Sequence, residues 1–370
     1  MSFSGKTALV LLILAGWENL ALSTESSSIN ELFNEVNETA QLDSTYRDDV
    51  TAVAKRLLQT IDEFKDVAIN TVPSKGQFAV WIVKNAPKGS KGYVGNLERA
   101  KDLPLIIVNA DYLDQLRAGA TIYATQKGTK LKDLVLEMSA DGVSSTAAHF
   151  LGPGGDWHAS GGRLPDALFQ GAVAFLLAHE LGHMILRQPD ASQLPLNVRP
   201  KPGGPSDLTF DRSLMCEDLV GPRVKAQREI EEQADSFAVG QIGKIPTSSP
   251  TKPRLLYEIG TDFLLDFEFA RAQIAVATLL KSSEIDVLPG TVRADFDDPL
   301  LQRLRSNPPK AAGVVEQLFP RSHPSWYTRK IRILTALSQD PKSMDYGKQA
   351  EGEEGQMLDL IIGRACRSQK

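Results

Sequence analysis

The sequence predicts an α+β protein, mostly helical, with one small sheet. Two observations carry that expectation. Long stretches space their apolar residues at three and four, the period of a helix buried on one face. A few short β-rich runs, bounded by Pro and Gly, gather between residues 75 and 140 without a repeating strand–helix alternation.

From the N-terminus, "MSFSGK" with its single lysine precedes the apolar run "TALVLLILAGW", and "ALS" then leads into "TESSS". This order predicts a secretory signal peptide over residues 1–23, cut near Ser23–Thr24, with Ala21 and Ser23 as the small residues before the cut. The apolar run is shorter than the roughly 20 residues a membrane span needs. No cysteine lies near the cut, which excludes a bacterial lipoprotein anchor. Export to a periplasmic or extracellular space is expected, with an uncleaved N-terminal anchor or a buried helix of a cytosolic protein as the alternatives.

Residues 24–74 read as an N-terminal helical segment. "INELFNEVNETAQL" and "DDVTAVAKRLLQTIDEF" both carry the helical spacing. "QFAVWIV" (Gln77–Val83) and "LPLIIVNA" (Leu103–Ala110) predict strands, and "ADYLDQLRAG" a short helix ending at Gly119. Further strands are expected at "TIYAT" (Thr121–Thr125) and "LKDLVLEMS" (Leu131–Ser139). "LGPGGDWHASGG" lacks the Gly-Lys-Ser/Thr ending of a phosphate loop and reads as a connection, with His149 and His158 as ordinary loop or surface residues.

Pro165 and Asp166 start a helix that runs to Leu186. Its stretch "AVAFLLA" is apolar on every face, which predicts a central, buried helix. A Pro- and Gly-rich link follows to Pro222. Helical pattern returns at "AQREIEEQADSFAVGQIG", at "DFLLDFEFARAQIAVATLL" and at "HPSWYTRKIRILTAL". Residues 75–338 therefore read as the main domain and 339–370 as a polar tail. No internal repeat is present.

The net charge of -5, with no basic block, excludes a nucleic-acid surface. The two cysteines, Cys216 and Cys366, can pair in an oxidising compartment or stand as two thiols, and neither has metal-site spacing.

The stretch "LLAHELGHMIL" sets His179, Glu180 and His183 in the apolar helix. Burying such groups without a partner costs several kcal/mol, on the order of 2–7. The pattern is H-E-x-x-H, in which two histidines one turn apart share a helix face and can bind one cation. Glu180 is turned about 100° from His179, placed to take a proton from water without itself being a ligand. Zinc lowers the pKa of its bound water toward about 7, so the carboxylate can complete the activation at neutral pH.

A catalytic zinc needs a third protein ligand. The next histidine is His323, too far for a short three-histidine motif. "EIEEQADSFA" offers Glu229, Glu231, Glu232 and Asp235. Glu231 and Asp235 lie four apart, so one face can give a ligand and an acceptor that orients a ligand histidine.

"AHELGH" followed by "EEQAD" resembles the gluzincin metallopeptidases of the HtpX and CAAX-prenyl-protease type, whose pattern is H-E-x-x-H and then E-x-x-A-D on a later helix. The resemblance implies a zincin-like core with the small sheet beside the H-E-x-x-H helix. It assigns one Zn2+ per chain to His179, His183 and Glu231, and gives Asp235 the orienting position. "LIIVNADYL" resembles the strand and short helix before the active-site helix. "SHPSWYTRKIRIL" resembles the family's H-P-x-x-x-x-R element, with His323, Pro324 and Arg329 on the matching positions. In the family that histidine can approach the metal or the reacting carbonyl, so His323 is expected as a catalytic residue or as an inhibitory fourth ligand, with a structural role as the alternative.

The implied activity is zinc-dependent endopeptidase, with Glu180 as the general base and a protein or peptide in extended conformation as substrate, pairing with an edge strand. The relatives named carry several membrane helices, whereas nothing beyond this N-terminus can span a bilayer, so the likeness is to soluble, exported members. A peptide deformylase is excluded, since its cysteine ligand lies upstream of the helix and both cysteines here lie downstream. The rival is a metal-stabilised chaperone or scaffold with little proteolysis.

Overall fold

The computed structural model describes residues 41–42, 44–62, 64, 69–70, 78–84, 97–100, 103–158, 162–186, 222–245, 253–280 and 326–338. The N-terminal 40 residues, both cysteines, His323 and the tail lie outside them. The described residues are mostly helical. It divides into two compact units, Met1–Arg187 with Phe237–Leu264, and Gln188–Ser236 with Leu265–Lys370. Among the described residues no helix is long and apolar enough to cross a membrane.

In the first unit, strands β1 (Gln41–Leu42), β2 (Ile69–Asn70), β3 (Phe78–Lys84), β4 (Leu97–Ala100) and β5 (Leu103–Asn109) pair in the order β1-β3-β5-β4, with β2 also on β3. β3 and β5 run parallel, from Ala79↔Leu105 to Val83↔Asn109, and β4 returns antiparallel on β5. Helices α1 (Arg47–Leu58), α2 (Ala110–Thr125), α3 (Leu131–Asp141), α4 (Val143–Leu151) and α5 (Arg163–Ile185) accompany them.

α1 buries Val50, Val53, Ala54, Leu57 and Leu58, a stripe at i, i+3, i+4, i+7 and i+8. α5 is buried continuously from Gly171 to His179, and it packs against α1, α2, β4 and β5. The Asn109 side chain caps α2 by accepting from the Asp111 amide at 2.8 Å. Gly142 and Gly152 bracket α4 with φ of 85° and 86°, a left-handed turn that a side chain would strain.

The buried Arg117 of α2 ties three elements together. Its Nη2 donates to Asp166 Oδ1 at 2.8 Å in the first turn of α5, and its Nε donates to the Trp157 carbonyl at 3.2 Å. The guanidinium also lies over the Phe169 ring, 5.2 Å from its centroid. Nearby, the Tyr46 hydroxyl donates to Asp114 at 2.7 Å and lies 3.0 Å from His158 Nδ1.

Several sequence expectations are corrected here. Thr121–Thr125 and Leu131–Ser139 are helical rather than strands, and α2 runs on through Gly119. In α2 the β-branched residues are accommodated because Thr125 bonds back to the Thr121 carbonyl at 2.7 Å and Thr121 and Ile122 are buried. In α3 the buried set is Leu134, Val135 and Met138, a helical spacing and not the alternation of a strand. Gln41 and Leu42, read as the end of a helix, pair instead with Lys84 and Val83. His149 sits exposed on the last turn of α4 beside Glu137.

Helices α6 (Pro222–Ile242) and α7 (Pro253–Leu280) contribute to both units. In the first unit, α5 and α7 approach so closely that a β-carbon at Gly171 would stand 2.7 Å from Gly260 Cα and 2.9 Å from the Tyr257 carbonyl. Two backbones in contact cannot yield as flexible side chains do. Gly171→Ala should therefore lower the melting temperature, the overpacking of about 1–3 kcal/mol exceeding the roughly 1 kcal/mol of helix propensity gained. Gly240→Ala, where a β-carbon meets nothing within 4 Å, should raise it. Equal shifts in thermal melts of the two variants would refute the close crossing.

The second unit is built on the first part of α6, the second part of α7 and α8 (Trp326–Ser338). α8 buries Arg329, Ile333 and Leu337, one turn apart from each other. Its basic residues meet acidic partners. Arg329 pairs with Asp235, Arg332 with Glu232, and Lys330 with Asp266 at 2.5 Å.

Candidate metal centre

The H-E-x-x-H turn falls near the C-terminal end of α5. His179 is buried, 5% exposed, and Glu180 and His183 are half-buried. One turn of helix brings the two Nε2 atoms to 3.2 Å, with the ring planes at 90°. Phe175, a further turn back, lies nearly parallel to the His179 ring with centroids 6.3 Å apart.

Glu231 of α6 is also 5% exposed, and its carboxylate joins the two histidines in a group whose ligand atoms all lie within 4.8 Å of one another. The donor set suits zinc: two imidazole nitrogens and one carboxylate oxygen, with room in a tetrahedral shell for a fourth position. Zinc–nitrogen bonds of about 2.0–2.1 Å put neighbouring ligand atoms roughly 3.4 Å apart in a tetrahedron, close to the 3.2 Å between the histidines. A shared proton could also join two imidazoles at this distance. The anionic third donor in the same group favours the cation.

The neighbouring acidic residues of α6 separate by position. Asp235 is buried with Glu231, Glu229 is exposed, and Glu232 is half-buried against Arg332. Asp235 has a partner that sequence reading did not assign. Arg329 spans its carboxylate, Nε donating to Oδ2 and Nη2 to Oδ1, each at 2.6 Å. This is the two-point fork that guanidinium and carboxylate geometries favour.

Burial alone pulls the Arg329 guanidinium toward the neutral form, but Asp235, by charge and hydrogen bond, together with the charges of Glu231 and Glu268, outweighs it and raises its pKa. Arg329 therefore remains a cation. His323 and Pro324 lie outside the described residues.

The Arg329–Asp235 pair spans 94 positions of sequence. The signal was a basic run, Arg329, Lys330 and Arg332, that complements an acidic one, Glu231, Glu232 and Asp235. Only the fold sets which residue meets which. The chain matches no family model, no curated protein and no solved structure.

Proposed function

We propose that the protein is a zinc-dependent endopeptidase of gluzincin type, with a zincin-like core, exported by an N-terminal signal peptide. The observation that carries this reading is the convergence of His179, His183 and Glu231 with Glu180 next to the first histidine on the same helix.

Zinc held by the three ligands would supply Lewis acidity and lower the pKa of water toward about 7. Glu180 takes the proton of the attacking water and passes it to the leaving amine, a general acid–base role worth roughly 10²–10⁴ in rate. The substrate is a protein segment in extended conformation. It adds to β4, the strand that ends the sheet order and packs beside α5. Such pairing uses main-chain hydrogen bonds and holds the scissile bond without requiring a particular side chain.

The test is metal analysis of the purified protein joined to casein digestion. About one zinc per chain is expected, with digestion lost to a chelator and restored by zinc. The same preparation, sequenced from its N-terminus, should begin near Thr24. Protein that takes up no zinc, or digestion that persists in chelator, would overturn the peptidase reading, and a product beginning at Met1 would overturn cleavage of the signal peptide.

A further inference from the structure

We propose that Arg329 is a positioning residue for the metal centre, acting through Asp235 to fix the turn of α6 that presents Glu231. The inference rests on the zinc reading and adds a residue that touches neither metal nor substrate.

The geometry lies within the second unit. Arg329 and Arg332 stand three apart on α8, and their partners Asp235 and Glu232 stand three apart on α6. The higher-numbered arginine meets the lower-numbered acid, so the two helices run antiparallel through this stretch. Both paired positions on α6 lie within about one turn C-terminal to Glu231. They also sit at different azimuths around α6, Glu232 about 100° and Asp235 about 40° from Glu231. Two grips at different azimuths fix a helix against rotation about its axis, which a single contact does not.

The two grips are unequal. Arg332 and Glu232 are each about a third exposed, and such pairs contribute little. Arg329 and Asp235 are 6% and 8% exposed by side chain and meet through two parallel hydrogen bonds. That fork has one geometry, so it holds direction as well as distance. It anchors the residue one turn beyond Glu231, and the charge of Arg329 also reaches Glu231. A lysine at 329 would keep the charge and lose the fork.

The test measures zinc affinity by competition with a chromogenic chelator, alongside thermal melts of the metal-free full chain. Arg329→Lys and Asp235→Asn should each weaken zinc about 10- to 100-fold, the usual size of losses around metal ligands. The double variant should be no worse than either single, because both remove the same fork. Leu337→Ala, a buried α8 change away from the fork, should lower the melting temperature and leave zinc affinity unchanged.

If Arg329→Lys binds zinc as tightly as the parent, or if Leu337→Ala weakens zinc equally, Arg329 does not position the centre. The peptidase reading would survive either result. A parent protein that binds no zinc would overturn both.

Discussion

Replacing Glu180 with glutamine should abolish hydrolysis, by about 10²–10⁴ in rate, while zinc stays near one per chain. The side chains have nearly the same shape, so the change removes a proton acceptor and little else. Glu180 is half-buried and turned about 100° from His179, which places it outside the three-ligand group. Its loss should therefore show in turnover and not in metal content. The variant also separates a protease from a chaperone. A protease should hold uncut client only when Glu180 is changed, whereas a chaperone should hold it in both forms. Loss of zinc from Glu180→Gln would contradict the assignment.

Glu231→Ala should strip zinc, weakening it by more than about a hundredfold, beyond what changes around the ligands usually cost. Its neighbours should behave differently. Glu229 is exposed, and Glu232 is half-buried with Arg332 beside it, so alanine at either position should leave zinc in place. Losing the Glu232–Arg332 pair should cost no more than about 1 kcal/mol of stability. Zinc content by atomic spectroscopy across the three variants checks the register of α6. Retention in Glu231→Ala with loss in Glu232→Ala would show that the wrong face had been assigned.

What could be read in the sequence was local. The helix carrying His179 and His183 declared itself because a long apolar run, a Pro–Asp start and a fixed four-residue spacing agree with one another. The helix of Glu231 was legible for the same reason, since spacing alone puts Glu231 and Asp235 on one face. Where local preference and tertiary packing disagreed, packing won. Thr121–Thr125 favours a strand by its β-branched residues, yet it continues a buried helix in which the Thr125 hydroxyl bonds back to the Thr121 carbonyl. Gly119 reads as a stop, yet it is buried inside α2. The pairing of Gln41 and Leu42 with β3, and of Asp235 with Arg329, joins distant positions, and no window of neighbouring residues contains it.

The contact between Gly171 and Gly260 acts on the candidate ligand His179 as a fulcrum acts on a lever. His179 lies eight residues along α5 from Gly171, an arm of about 12 Å at 1.5 Å per residue. A metal site tolerates ligand displacements of only about 0.2 Å. Over that arm, the tolerance corresponds to a tilt of roughly one degree. A crossing padded by long side chains can rock by more than this as rotamers exchange, whereas two backbones in contact leave no such play. The missing side chains at 171 and 260 thus set angular precision at a place that bears no chemistry of its own.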